Sequence, residues 1–416
     1  ALQRITIEQP LQPFSARYFT KAIAQSTGHG GPTATYAREW DLGEQHVAEP
    51  MAEAHESAST PSFQSPLLPL GTPTTEDTSS WPRRLERWLA HPTAALFEDR
   101  LGVSWPSDDE APSEDEALDL AGLAGWQVQQ RFVRAIEEAH APSACQRGGV
   151  SVRVRRREQG DQGDQTNHSK TAIDGLLHRL EGEGRLPLGA PGRRLRHELS
   201  TAWQSWAARL YDAIGGTSDW TMRHQSVSLV WNGEKTVQWH LSGFTATAHD
   251  EDAIPTRMLR LTARALFHKP RRSGEQRRIR DQVLILPWWH HQVAAACGHP
   301  CALIVSGPDG LVQAPAPDPV QAHAVVTGLI HEWRANLEDG TPWPADSQAI
   351  EAPWDSSSQQ LAALNRLAQQ QRAWLRAWGT AQDWDEAARR RWLYATERVY
   401  GAYRQWRDEQ LQAGQP

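Results

Sequence analysis

Lys21, Lys170, Lys235 and Lys269 are the only four lysines in the chain. A nucleotide phosphate loop needs a lysine directly after a glycine and before Ser or Thr, so that backbone amides cradle the phosphates and the hydroxyl holds magnesium. No lysine here follows a glycine, which excludes a motor of that type. A Gly-x-Ser-x-Gly elbow is missing too, so no serine nucleophile of the α/β-hydrolase kind can be named. The one cluster with metal-ligand chemistry is Cys297-Gly298-His299-Pro300-Cys301, with His290 and His291 upstream. Its three-residue gap and its missing second pair read better as buried cysteines at a helix end than as a zinc site, and no catalytic residue, metal ligand or cofactor is expected.

What remains is arginine chemistry. Arg153, Arg155, Arg156 and Arg157 form one basic cluster, and Arg271, Arg272, Arg277, Arg278 and Arg280 form another. A guanidinium makes planar, bidentate contacts to phosphate or carboxylate, so local contact with a phosphate backbone is expected at both clusters. A third group mixes Arg372, Arg376, Arg389, Arg390, Arg391 and Arg404 with Trp374, Trp378, Trp384, Trp392 and Trp406. Trp with Arg is the pairing enriched at binding hot spots, and Arg389, Arg390 and Arg391 are expected at a partner interface. For Trp374, Trp378 and Trp392, which share the main apolar stripes, the domain's own core is the simpler destination.

The 416 residues carry 43 basic and 50 acidic side chains, a net charge of −7, unlike a protein held to nucleic acid by bulk positive charge. The sign varies along the chain, at about −11 over 1–125, about +9 over 146–280 and about −5 from 281 to the end. Three cysteines, Cys145, Cys297 and Cys301, cannot make a disulfide framework, and a cytoplasmic setting is expected. No run approaches the roughly 20 apolar residues of a membrane span. The first residue is alanine, and a fragment or a processed chain is expected. Tryptophan is unusually common, 20 against 7 Phe and 6 Tyr, so large buried rings must anchor cores or interfaces.

Three regions position these residues. Residues 1–80, rich in Pro, Ser and Thr, read as an extended arm. Residues 81–194 read as helical. One helix opens at Ser80-Trp81-Pro82 and carries Leu85, Trp88 and Leu89, a second runs from Thr93 to Leu101 and is stopped by Gly102, a third runs from Leu118 to Glu138 and a fourth from Ala172 to Glu181. Within this region 142–170 reads as a polar, basic insertion. Residues 195–416 read as an α/β (α+β) domain. A helix over Leu195–Ile214 precedes two alternating runs, Ser226–Trp231 and Val237–Phe244, around Asn232-Gly233, the strongest short hairpin signal. A third strand over Met258–Ala263, a helix over Val283–Cys297, a second hairpin around Gly307–Gly310 and terminal helices follow.

Several landmarks stand in a recognisable order: Gln9-Pro10-Leu11-Gln12-Pro13-Phe14-Ser15-Ala16-Arg17-Tyr18-Phe19, then Tyr36-Ala37-Arg38-Glu39-Trp40. His91-Pro92 with Phe97 and Arg100-Leu101-Gly102-Val103 follows, then Leu118-Asp119-Leu120 with Gly122-Leu123, then Gly184-Arg185-Leu186-Pro187 with Gly189 and Gly192. The chain resembles the C-terminal part of the RecC family, the gamma chains of exodeoxyribonuclease V (the RecBCD helicase–nuclease). The resemblance implies a degenerate nuclease-like domain of the PD-(D/E)xK type, with a small mixed sheet flanked by helices and no active site. It also implies a non-catalytic subunit that docks RecB-like and RecD-like partners and helps split and guide double-stranded DNA ends and forked DNA during recombinational repair. The insertion 142–170 and the loop 269–280 are longer or more basic than that pattern.

Chemistry tests the missing active site separately. Such nucleases set an acid and a lysine two residues apart on a strand, so that both face magnesium and the attacking water. Two residues before the four lysines stand Phe19, His168, Gly233 and Phe267, so no such pair exists. The first acid after the hairpin is Asp250, in a polar turn, and Glu275-Gln276-Arg277 is the nearest arginine substitute. The two competing readings are an active metal-dependent DNA nuclease and a DNA-free assembly module.

Overall fold

The Asn232-Gly233 turn joins the first two strands of the sheet. Asn232 at φ 51° and Gly233 at φ 72° supply the two left-handed residues of a type I′ turn. Around them β1 (Trp220–Trp231) and β2 (Lys235–Thr247) pair antiparallel. In the computed structural model residues 77–103, 122–141, 167–216, 220–247, 256–268, 277–339 and 386–413 are described, all within the unit Phe63–Pro416. Residues 1–76 of the predicted arm 1–80 and residues 142–166 of the predicted insertion 142–170 lie outside the described residues; Thr78–Ser80 form a short 3-10 turn and residues 167–170 are helical.

β3 (Arg257–Leu261) pairs antiparallel with β2 and parallel with β4 (Ala302–Gly307), and β5 (Gly310–Ala314) closes the sheet antiparallel, in the order β1-β2-β3-β4-β5. A parallel pair is normally covered on both faces, and β3 and β4 alternate accordingly. Met258, Leu303 and Val305 enter one apolar cluster, and Leu259 and Ile304 enter the other. The first cluster is built by α1 (Trp81–Ala90), α2 (Pro92–Leu101), α6 (Asp281–Ala296), α7 (Pro319–Asp339) and α8 (Glu386–Ala413). The second is built by α3 (Gly122–Ala139), α4 (Asn167–Gly182) and α5 (Gly189–Ala213). The fold is therefore mixed α/β, a five-stranded sheet between two helical layers. Both clusters draw on residues from 81–194 and from 195–416. Among the described residues no helix is long and apolar enough to cross a membrane.

Tryptophan fills these layers. Trp81, Trp88, Trp203, Trp206, Trp239, Trp288, Trp289, Trp333 and Trp392 are all fully buried, so much of the chain's tryptophan is core material. Trp81 meets Trp231 and Trp333 edge-on, each at 5.5 Å, and Arg334 caps Trp81 and Trp231 at 5.4 and 4.8 Å, the favourable geometry for aromatic and cation–π contacts. The last helix is tied in by polar bonds. Tyr400 donates to the Leu89 carbonyl at 2.8 Å, and Arg407 with Tyr403 holds Asp281, at the start of α6, at 2.9 Å each.

The elements differ from the sequence reading mainly at their ends. α5 starts six residues early, at Gly189, because Pro191 is tolerated in a first turn and Gly192 packs where a Cβ would strike the Pro187 carbonyl. β2 runs three residues past Phe244 because of a bulge. Its partners step from Leu241 to Phe244 while β1 advances only from Gln225 to Arg223. The extra residue brings Phe244 back to the face that already buries Val237, Trp239 and Leu241; without it, the period of two would turn Phe244 outward.

Gly243 lies in that bulge at φ 88°, and a Cβ there would collide with the Leu259 carbonyl oxygen. Gly243→Ala should therefore cost about 2–4 kcal/mol, against about 1 kcal/mol for Gly233→Ala, which has a positive φ but open space. Urea unfolding midpoints of the two variants provide the check, and equal losses would refute the bulge argument.

His291, fully buried in α6, donates Nε2–H to the Cys301 carbonyl at 2.6 Å. Burial takes its pKa down to about 4. The unfolded chain thus binds a proton that the folded chain refuses, and stability must fall as pH drops from about 6.5 toward 4. At pH 5 the loss is on the order of 2 kcal/mol. His291→Gln, which keeps a donor for Cys301, should flatten the dependence of unfolding free energy on pH between 7 and 5; an unchanged slope would disprove the assignment.

Candidate nucleic-acid interface

The loop that carries the second arginine cluster is held at its base. After β3, Thr262 donates its amide to Ser306 at 3.0 Å, and the chain then turns toward the β4–β5 hairpin. Asp309, in that hairpin's turn, accepts the Leu266 and Phe267 amides at 2.7 and 2.9 Å. The returning arm pairs with the outgoing one. His268 donates to the Arg278 carbonyl and Arg280 to the Leu266 carbonyl, both at 2.8 Å, and Phe267 bridges Ile279. A short antiparallel ladder thus joins the two arms at the loop's base.

Arg277 and Arg278 are exposed on this arm, and Arg280 is half-buried. Arg277 lies over the Phe267 ring at 6.0 Å and donates to the Asp309 carbonyl at 3.3 Å. Arg280 donates Nε–H to the Phe267 carbonyl at 3.2 Å, so it serves the loop base as well as its charge. Of these three residues of the predicted cluster, Arg277 reaches the β4–β5 turn, while Arg278 and Arg280 stand on the same arm. Arg271, Arg272, Arg153, Arg155, Arg156 and Arg157 lie outside the described residues, as do Asp250 and Glu275. Sequence reading missed Arg209 of α5, which reaches the same turn and donates to the Pro308 carbonyl at 2.8 Å. Nothing in the helical spacing around it signals that convergence.

On the first-layer face of the sheet, the polar residues of β2 and β3 are tied to the helices above them. Arg260 of β3 donates Nη1–H to Ser242 Oγ at 2.7 Å, and its Nη2–H points to His290 Nδ1 at 2.8 Å. With Nδ1 accepting, His290 donates from Nε2 to Glu86 at 2.8 Å. The relay runs from β2 through β3 and α6 to α1. Burial brings the Arg260 pKa down to about 10 against the opposing charges of Glu86 and Glu137. Burial also lowers His290, with the bond to Glu86 working the other way, and it raises Glu137. The charges here neutralise one another and join layers. Among the described residues no three His, Cys, Asp or Glu gather to hold a metal ion. Cys301 is buried and Cys297 caps α6, and burial pushes their thiols up to about 12 and about 11, so neither offers a thiolate.

In α8 the stripe Trp392, Val399 and Tyr403 is buried, with Trp406 packed against the core. Trp392 therefore belongs to the core. Arg390 is exposed and pairs with Glu386 at 2.6 Å along the same helix; Arg389 and Arg391 are its neighbours in α8. Arg398 crosses to Glu332 of α7 at 2.5 Å. Trp374, Trp378, Trp384, Arg372 and Arg376 lie outside the described residues.

Comparison with known proteins adds two findings. The sequence model of the RecC C-terminal domain matches residues 82–352. A stretch of 108 residues is 31% identical to the RecBCD enzyme subunit RecC of Escherichia coli (strain K12), taking in 26% of this chain and only 8% of that relative's length. The domain match runs from α1 through the whole sheet to beyond α7, well over half of the chain. On that match the chain belongs to the RecC C-terminal domain family.

Proposed function

We propose that this chain is the non-catalytic, DNA-handling part of a RecC-type subunit in a RecBCD-like helicase–nuclease, acting in cytoplasmic repair of double-strand breaks by recombination. It scaffolds RecB-like and RecD-like motor subunits and helps split and guide duplex ends. The observation that carries the reading is the family match, joined to the character of the β2–β3 face. A nuclease-like domain of the PD-(D/E)xK type would need carboxylates there to hold magnesium. This face instead carries Ser242 and Arg260, with Arg260 already engaged by His290 and opposed by Glu86. A helix-flanked mixed sheet with a cation in that position supports a nuclease-like domain that has kept its architecture and lost its chemistry.

The arginine arm supports the DNA part of the proposal. In a chain of net charge −7, Arg277 and Arg278 are exposed on an anchored ladder rather than spread over a bulk basic surface. Such a local set suits phosphate contacts that position a duplex without reading its sequence. The whole chain, mixed with a forked duplex and magnesium, should bind it in a salt-dependent way and leave it uncut. Replacing Arg271, Arg272, Arg277, Arg278 and Arg280 by Ala, or the Arg153–Arg157 cluster, should lower the slope of log affinity on log salt by about one per lost contact. Magnesium-dependent cleavage that follows the purified chain and vanishes on changing Glu275 would sink the non-catalytic reading.

The scaffold part is carried by α8, whose inner stripe is core and whose Arg390 faces solvent. Changing Arg389, Arg390 and Arg391 together to Ala should leave the fold intact and weaken assembly with RecB-like and RecD-like subunits more than about tenfold, or roughly 1.4 kcal/mol. Normal assembly of a folded triple variant, measured by co-purification, would remove α8 from the interface.

A further inference from the structure

The turn between β4 and β5 collects charge from two distant parts of the chain. Arg209 stands in the penultimate turn of α5, steadied by a bond from Nη1 to Ser205 Oγ at 3.0 Å, and its Nη2 donates to the Pro308 carbonyl at 2.8 Å. Arg277 arrives from the basic loop and donates to the next carbonyl, that of Asp309, at 3.3 Å. Two guanidiniums thus share one two-residue turn. Among the described residues, Asp309 is the carboxylate whose charge acts on Arg209, and both its oxygens already accept backbone amides, those of Leu266 and Phe267. The carbonyl bonds orient the guanidiniums without neutralising them. Burial depresses Arg209's pKa, Asp309 opposes this, and the like charge of Arg277 adds to it, so a second anion would be favoured here.

One more exposed arginine stands on the segment whose backbone packs beside this turn. Arg264 is exposed on the segment leading to Leu266, and its carbonyl lies against Gly307 at the end of β4. A guanidinium has five N–H donors in a flat fork, and a single carbonyl leaves most of Arg277's free to meet another acceptor. The two orienting carbonyls and the Phe267 ring under Arg277 hold the forks in place beforehand, which cuts the entropy lost on binding.

We propose that Arg209 and Arg277, converging on the Pro308–Asp309 turn with Arg264 at the rim, form a clamp for phosphates of a nucleic-acid backbone. The clamp rests on the DNA-handling reading above and adds to it a site built from the sheet's edge and α5. A protein carboxylate would satisfy one guanidinium. A backbone offers phosphates in series, which suits two guanidiniums that converge on one turn.

The test uses the whole chain and a forked duplex titrated from 50 to 200 mM salt, with Arg209→Gln, Arg277→Gln and the double variant. Each single variant should make the salt slope shallower by about 0.9 if the contact is to duplex, or about 0.7 if to a single strand, while its melting temperature stays near the parent's. Arg209→Lys keeps the charge but not the planar fork, and should retain most of the slope. If Arg209→Gln melts early with an unchanged slope while the alanine loop variant loses slope, Arg209 only braces the turn; the clamp is then wrong and the DNA reading stands. A parent chain that does not bind the fork at all removes the broader reading first, and the clamp with it. Should Arg209→Gln fail to fold, Arg277→Gln and Arg264→Gln decide alone, and unchanged slopes in both overturn the clamp.

Discussion

The parallel pairing of β3 with β4 is the constraint on which the rest of this structure depends. Two parallel strands cannot be joined by a tight turn; the chain must leave the sheet and return. It does so through residues 262–301, and that excursion fixes the paired base of the arginine loop and the apolar helix α6. The pair also has water on neither face, so each face needs its own helical layer. Met258, Leu303 and Val305 call for one layer, and Leu259 and Ile304 for the other. Helices far away in sequence answer both demands, α1 and α8 on one side and α3 to α5 on the other.

Covering both faces creates a problem at Arg260, whose place in the strand aims it at the same layer as Met258. A charged group withdrawn from water is costly unless it is paired and hydrogen-bonded. Here the cost is met by Ser242, His290 and Glu86, from three different elements. The same network cross-links α1, α6 and two strands. Removing any one partner strands the others, because a buried polar group left unpaired costs more than the pair contributes.

At the other end of the same strands the economy is reversed. The segment after β3 and the β4–β5 turn are fastened to each other by Asp309, which spends its carboxylate on two backbone amides. Arg209 and Arg277 find carbonyls there to orient them, and among the described residues Asp309 is the carboxylate whose charge acts on Arg209. One pair of strands thus carries a buried, paired cation on its face and two oriented cations at the turn that follows it.

Much of the fold was legible in the sequence because it is local. Asn232-Gly233 fixes a hairpin by its backbone angles, Gly102 stops a helix in the left-handed conformation, and the alternation of Val227, Leu229 and Trp231 marks a buried face. The absence of an acid two residues before any lysine is likewise a property of spacing alone. What the sequence could not determine is convergence. Gly243 is one glycine among 30 until the bulge brings it against Leu259; Arg260 is a polar residue on a strand until a second layer covers it; Arg209 is an ordinary helix arginine until the β4–β5 turn arrives beside it. Periodicity says which way a side chain points from its own element, and only the packing of elements decides what it meets there.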